Sequence, residues 1–166
     1  MAKRVVTKVG DVFCANIDGK YKRDRQYIVS DFTQLNSDVV RVFKEKYPID
    51  AEPKLDEVVK GEVEFYAHCV VSGGVKRGLW EKVGKCADVG DIENIENIIF
   101  KDKRDYDREE QDDWYIWKIN QDFIPVSIDN LERIYKNSYF GIVFTPEDVF
   151  YKMKNGVYYG FAAKYE

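Results

Sequence analysis

The sequence has few cysteines, and their spacing excludes two kinds of small-domain scaffold. The three cysteines, Cys14, Cys69 and Cys86, form no Cys-x-x-Cys pair. An odd number without such a pair is typical neither of a disulfide framework nor of a zinc knuckle. We therefore expect reduced, structural cysteines and no metal site.

The sequence also contains a single histidine, which restricts acid–base and nucleophilic catalysis. His68 precedes Cys69 in a predicted strand, where adjacent side chains point to opposite faces, so these two cannot form a nucleophile–base pair. Cys14 or Cys86 would meet His68 only if the fold brought them together, and we predict a structural histidine. Phosphate loops, dinucleotide-binding turns and hydrolase elbows are absent from the sequence. We expect no catalytic residues and no cofactor, and hence not an enzyme.

Long hydrophobic runs are missing as well. The longest, such as Ile98-Ile99-Phe100, are the size of a strand, whereas a membrane span needs about 18 apolar residues. The segment Met1 to Lys8 lacks the apolar core of a secretory signal. These features predict a cytoplasmic protein that does not enter a membrane.

Hydrophobic and aromatic residues are nevertheless abundant. Of the 166 residues, 45% are hydrophobic and 15% are aromatic, which is far from the composition of disordered chains. A chain of this length buries enough surface to form a core without metal or disulfide links. We predict one folded domain over residues 1–166.

Strand patterns dominate the first two thirds of the chain. Asp18-Gly19 predicts a tight turn between strands at Val9 to Asn16 and Tyr21 to Asp31. The segment from Ser37 to Tyr47 fits a helix or a strand, and its β-branched residues favour a strand. Trp114 to Ile119 is the clearest strand, and its apolar character on both faces predicts an interior position.

Helix signals lie mainly in the last third of the chain. Thr145-Pro146-Glu147-Asp148 is a strong helix start, and Gly156 is the expected end. Ser127 predicts the start of another helix, running to about Lys136. We expect a last strand from Val157 to Ala163 and a turn at Ser72-Gly73-Gly74.

The order of these elements indicates the fold class. Strands and helices do not alternate regularly, as they would in a doubly wound sheet. We predict an α+β fold with a bent, mainly antiparallel β-sheet and a few helices packed on it.

Charge is distributed unevenly along the chain. The net charge is −4, but Cys86 to Asp113 contains eleven acidic and four basic residues and so carries −7. A dense patch of one sign accelerates association with an oppositely charged protein, and aromatic side chains are frequent interface anchors. We predict a partner-binding surface formed by Asp105, Tyr106, Asp107, Glu109, Glu110, Asp112, Asp113 and Trp114. The alternatives are that the charges form only a solvated loop and that Trp114 belongs to the core.

Two other functions remain open at this point. A small nucleic-acid-binding module would use a basic and aromatic face on the opening hairpin, formed by Lys20, Tyr21, Lys22, Arg23, Arg25 and Tyr27. The isoelectric point of about 5.2 argues against it. A small enzyme of unfamiliar type would be supported by a ligand or metal bound to the purified protein.

Five short motifs combine glycine-containing turns, strand-like aromatic runs and a helix started by proline. They are Lys8-Val9-Gly10-Asp11-Val12-Phe13, Asp18-Gly19-Lys20-Tyr21, Trp80-Glu81-Lys82-Val83-Gly84, Trp114 to Ile119, and Gly141 to Tyr159. In these motifs, which span most of the chain, the sequence resembles the immunity protein 26 family of bacterial polymorphic toxin systems.

The resemblance implies a cytoplasmic protein that binds and neutralises a cognate toxin domain and has no catalytic residues of its own. It does not identify the toxin. The acidic stretch complements a basic partner, and a nuclease toxin, which must hold phosphates, is a natural candidate. We expect neither a membrane nor a nucleic acid as partner.

Overall fold

The computed structural model describes residues 4–107 and 113–166, which form an α+β fold with most of its regular structure in β-strands. The strands are β1 (Asp11–Ile17), β2 (Tyr21–Asp31), β3 (Ser37–Phe43), β4 (Val63–Cys69), β5 (Glu81–Lys85), β6 (Ile99–Lys103), β7 (Trp114–Lys118), β8 (Ile124–Val126), β9 (Tyr139–Phe140) and β10 (Val143–Phe144). The helices are α1 (Leu55–Val58), α2 (Val71–Lys76), α3 (Ile92–Glu96), α4 (Ile128–Arg133) and α5 (Pro146–Asn155), with a short 3₁₀ helix at Ala162–Lys164.

The strands form two sheets. One has six strands in the order β10-β4-β3-β2-β1-β5, and the other has four in the order β8-β7-β6-β9. Among the strands of the described residues, only the pairs β10–β4 and β6–β9 are parallel. The predicted α+β class and mainly antiparallel pairing are confirmed, but the strands are divided between two sheets instead of lying in one bent sheet.

The predicted opening hairpin is present. Asp18 and Gly19 both have positive φ angles, 54° and 69°, as a tight hairpin turn requires. They connect the antiparallel strands β1 and β2, and β3 then pairs with the other edge of β2. The preference for a strand after Ser37 is therefore confirmed, although this strand ends at Phe43.

The turn predicted at Ser72-Gly73-Gly74 is wrong, because these residues lie within α2. The indole of Trp80 packs so closely here that a Cβ on Gly74 would overlap its ring. The same indole donates a hydrogen bond from Nε1 to the carbonyl oxygen of Val71, at 3.1 Å. The glycine at position 74 therefore serves close packing against a tryptophan, not a turn.

Helix α5 has the predicted boundaries. Thr145 and Asp148 form a capping box, in which each side chain bonds the other residue's backbone N–H, and Gly156 ends the helix with a φ of 80°. Helix α4 starts after Ser127 as expected but ends at Arg133. The strand predicted from Val157 to Ala163 is wrong, since that segment forms no strand and enters the 3₁₀ helix.

A buried carboxylate connects the two sheets. In the six-stranded sheet, Asp31 on β2 accepts a hydrogen bond from Nε2 of His68 on β4, at 2.9 Å. The same oxygen, Oδ2, accepts one from the indole Nε1 of Trp117, which lies on β7 of the four-stranded sheet, at 3.0 Å. All three side chains are almost completely buried. The histidine therefore contributes to a structural link.

The strand predicted at Trp114 to Ile119 corresponds to β7, which lies between β6 and β8. Its Trp117 is 1% exposed and stacks on Phe100 of β6, with ring centroids 5.8 Å apart. The interior position predicted for this strand is confirmed.

Candidate partner-binding surface

The two ends of the predicted acidic surface lie side by side. Strands β6 and β7 pair antiparallel with Lys103 opposite Trp114, and the backbone N–H of Arg104 donates to the carbonyl oxygen of Asp113 at 3.0 Å. Asp105, Tyr106 and Asp107 follow β6 directly. Of the remaining predicted residues, Glu109, Glu110 and Asp112 lie outside the described residues.

Tyr106 is held in place by a carboxylate of the sheet. Its hydroxyl donates to Oδ1 of Asp102 on β6, and the hydroxyl of Tyr115 on β7 donates to Oδ2 of Asp102 at 3.0 Å. Burial and the neighbouring Asp102 raise the pKa of Tyr115 to about 12 and raise the pKa of Tyr106 as well. Both phenols therefore remain donors at neutral pH, and the start of the loop is fixed to the sheet.

The ring of Tyr106 packs on the C-terminal segment. Its centroid lies 4.7 Å from that of Phe161 and 5.4 Å from that of Tyr165, both in edge-on geometry. Trp114 also meets Tyr165 edge-on, at 5.8 Å. Such pairs are favourable beyond the area they bury. We define the acidic aromatic surface as Asp105, Tyr106, Asp107, Asp113, Trp114, Phe161 and Tyr165.

The rings of this surface are partly accessible. Tyr106 is 36% exposed and Phe161 is 46% exposed, while Trp114 is half-buried and also packs against Ile116, Val126 and Leu131. Trp114 thus contributes to a core cluster and also leaves part of its side chain at the surface, and its role in partner binding stays a prediction.

Phe161 and Tyr165 were missed by the sequence analysis. The predicted strand from Val157 to Ala163 includes Phe161, and none of the predicted elements includes Tyr165. The available signal was the density of aromatic residues between Tyr158 and Tyr165. That signal did not indicate which residues of another segment these rings would contact.

Arg104, beside the surface, is directed toward an aromatic ring outside it. The guanidinium of Arg104 lies 5.4 Å from the ring centroid of Phe123, within the range of a cation–π contact. Asp107 and Asp105 are linked by a hydrogen bond from the backbone N–H of Asp107 to Oδ1 of Asp105, at 2.9 Å. The short stretch from Asp105 to Asp107 thus carries two carboxylates with the ring of Tyr106 between them in sequence.

Three of the six residues predicted for the basic face of a nucleic-acid module are buried, while Lys20 is exposed and Tyr21 and Lys22 are partly exposed. Arg23 and Arg25 are 2% and 0% exposed, and Tyr27 is buried with them. Arg23 is paired with Glu64 at 2.6 Å, and the guanidinium of Arg25 lies over the ring of Trp80, 3.1 Å from its centroid. Burial lowers the pKa of Arg25 to about 9. Neither arginine can contact a phosphate without unfolding of the sheet.

His68 and Cys14 have different carboxylate neighbours. His68 faces Asp31, whereas the thiol of Cys14 faces Asp24. Within residues 4–107 and 113–166, no three His, Cys, Asp or Glu side chains are grouped to hold a metal ion. The helices in these ranges are all too short or too polar to cross a membrane.

The chain was compared with protein-family models, with curated proteins and with solved structures, and none of them matches it.

Proposed function

We propose that this protein binds a basic protein partner through its acidic aromatic surface, and that it acts as an immunity protein that neutralises a cognate toxin domain. The observation that carries this proposal is the arrangement of Tyr106. The ring of Tyr106 is partly exposed between Asp105 and Asp107 in the sequence. Its hydroxyl is hydrogen-bonded to Asp102, and the ring packs edge-on with Phe161.

Fixed aromatic rings are suited to anchoring a partner. A side chain that is already held in one conformation loses little entropy on binding, so more of the contact energy becomes affinity. Tyrosine and tryptophan are also among the residues most enriched at interface hot spots. Tyr106 and Trp114 satisfy both conditions, since each is packed edge-on against the C-terminal segment.

The surrounding carboxylates would accelerate encounter with the partner. Asp105, Asp107 and Asp113 flank the rings, and the sequence adds Glu109, Glu110 and Asp112 between them. Opposite charges on two proteins steer their association and can raise its rate well above that of uncharged surfaces. An immunity protein must bind its toxin before the toxin acts, so a fast association is of direct use.

Neutralisation of this kind needs no chemistry in the inhibitor. A bound protein that covers an active site or holds it away from its substrate is sufficient, and the only histidine is buried in a structural link. The five motifs that resemble the immunity protein 26 family support the same class of function.

The test is co-expression with the toxin domain encoded immediately upstream, scored by bacterial growth. Wild type should protect the cells, and Tyr106→Ala combined with Phe161→Ala should lose protection. Tyr159→Ala is a matched control, because Tyr159 is a 71% exposed ring that packs on Tyr151 and not on Tyr106. Failure of wild type to bind or protect would reject the immunity function, and full protection by the double variant would reject this surface.

A further inference from the structure

A cleft of about 410 Å³ lies on the opposite face of the opening hairpin from the Arg25–Trp80 contact. Its lining comes from β1, β2, β5, α1 and the loop before α1. The lining includes Cys14, Asp24, Tyr47, Leu55, Val58 and Val83. Its volume falls within the range of clefts that bind small molecules.

Asp24 is the unusual residue of this cleft. It is only 3% exposed, and its Oδ2 has no hydrogen-bond partner among the described residues. Buried polar atoms in native proteins are almost always paired, so an unpaired carboxylate oxygen requires an explanation. Burial raises the pKa of Asp24, although a hydrogen bond with Cys14 and the charges of Lys22 and Arg25 act in the opposite direction.

Two lysines line the cleft with Asp24, but their polar contacts are with other groups. The ammonium of Lys22 donates to the carbonyl oxygen of Ala51 at 3.2 Å, and the ammonium of Lys82 lies 2.7 Å from Oδ1 of Asp11. Two further carboxylates, Glu52 and Glu81, are exposed and line the cleft with Asp24. The cleft thus has three carboxylates, whereas both of its ammonium groups are already engaged.

Other side chains of the cleft are apolar or uncharged. Leu55 and Val58 of α1 and Val83 of β5 provide aliphatic contacts, and Tyr47 provides a ring. These groups would contact a hydrocarbon arm about as long as a lysine side chain, while the carboxylates contact its charged end. Cys14 is not a nucleophile here, because burial and the neighbouring Asp24 raise the pKa of its thiol to about 12.

We propose that this cleft is a second binding site, for a small organic cation with an ammonium or guanidinium group on a short aliphatic chain. The charged end donates hydrogen bonds to the carboxylate of Asp24, and the chain lies between Leu55 and Val83. This site is separate from the acidic aromatic surface and does not depend on the function proposed for it.

The test is a titration of the full-length protein with agmatine, which carries a guanidinium and an amine on a four-carbon chain, followed by two-dimensional NMR and calorimetry. Butanol and butyrate are the neutral and anionic comparison compounds. Agmatine should give saturable shifts at Cys14, Asp24 and Tyr47, and the other two should not. Absence of saturable agmatine binding, or equal binding of butanol or butyrate, would overturn the proposal.

Two variants test whether agmatine binds in this cleft. Asp24→Asn should weaken agmatine binding at least tenfold, whereas Asp122→Asn, which alters an exposed carboxylate outside the cleft, should not change it. Val83→Trp fills the cleft without changing its charge, and it should also abolish binding. Val83 is 44% exposed, so this variant decides the question if Asp24→Asn does not fold. Unchanged affinity in a folded Asp24→Asn or Val83→Trp protein would reject the site.

Discussion

Nε2 of His68 lies 2.9 Å from Oδ2 of Asp31, and neither side chain is accessible to solvent. The same oxygen also accepts the indole N–H of Trp117, so one carboxylate joins strands of both sheets. Burial alone would raise the pKa of Asp31, but the hydrogen bonds from His68, Trp117 and the backbone of Asn120 outweigh it and hold the pKa well below its usual value.

Asp31 should therefore make the stability of the protein depend on pH in the acid range. A carboxyl group whose native pKa is depressed contributes stability above its unfolded pKa of about 3.9, and that stability is lost as the pH falls further toward the native value. At pH 7, Asp31→Asn should lower the free energy of unfolding by about 1.5–3 kcal/mol. Denaturant melts at a series of pH values should show a shallower acid dependence in this variant than in wild type. A wild-type slope in Asp31→Asn would refute the assignment, and Asp122→Asn is the exposed control.

Trp117 should be a major contributor to the core. Trp117→Ala should cost about 3–5 kcal/mol of unfolding free energy, as large-to-small core substitutions do. Thermal melts of the variant and wild type measure this, and equal melting temperatures would contradict the interior position of the strand.

Gly141 offers a complementary test of the same contact. A Cβ at Gly141 would overlap the six-membered ring of Trp117, so Gly141→Ala should cost about 1–3 kcal/mol through overpacking. The cost should shrink when Gly141→Ala is introduced into Trp117→Phe, which lacks the overlapping atoms. Additive effects of the two substitutions would show that the two residues are not in contact.

These contacts indicate how much of the structure could be predicted from the sequence. Local signals were sufficient for the Asp18-Gly19 turn and for the capping box that begins at Thr145, because both are determined by residues close in sequence. They failed at Gly74, because its role depends on how the indole of Trp80, in the following segment, packs against α2 and not on turn formation. Two-residue periodicity also failed to show that β2 is buried on both faces from Arg23 to Ile28, because residues 22–25 are all charged.

The candidate surface was predictable only in part for the same reason. Its acidic character and the rings of Tyr106 and Trp114 are visible in the sequence. The contribution of Phe161 and Tyr165 depends on a tertiary contact between segments about 55 residues apart, as the ring pairs show. No local pattern encodes such a contact.

The cysteines should be reduced, and Cys14 should react slowly. Mass spectrometry of the protein purified from cytoplasm should show three free thiols, consistent with the three unpaired cysteines of the structure.

Because Asp24 contributes to the raised pKa of Cys14, Asp24→Asn should accelerate alkylation of Cys14 at pH 8, measured by peptide mapping. Cys86, which is not among the residues that line the cleft, provides the internal control. An unchanged ratio of the two alkylation rates would mean that Asp24 does not act on this thiol. The substitutions Cys14→Ser, Cys69→Ser and Cys86→Ser should each leave partner binding intact in any variant that folds.

The proposed role of the acidic stretch is tested most directly by the association rate with the cognate toxin domain. Reversal of Glu109, Glu110 and Asp112 to lysine should slow association more than it speeds dissociation, and raising the salt from about 0.01 M to about 1 M should narrow the difference from wild type. Reversal of Glu45, Asp50 and Asp56, which are exposed in the loop after β3 and at α1, changes the net charge equally and should slow association less. Each substitution in this control variant, whose three residues are exposed, should change stability by no more than about 0.5 kcal/mol. A stopped-flow measurement of the association rate at low salt gives the decisive comparison. The variant with Glu109, Glu110 and Asp112 reversed should associate more slowly than wild type. An association rate equal to that of wild type would contradict the proposed role of the acidic stretch.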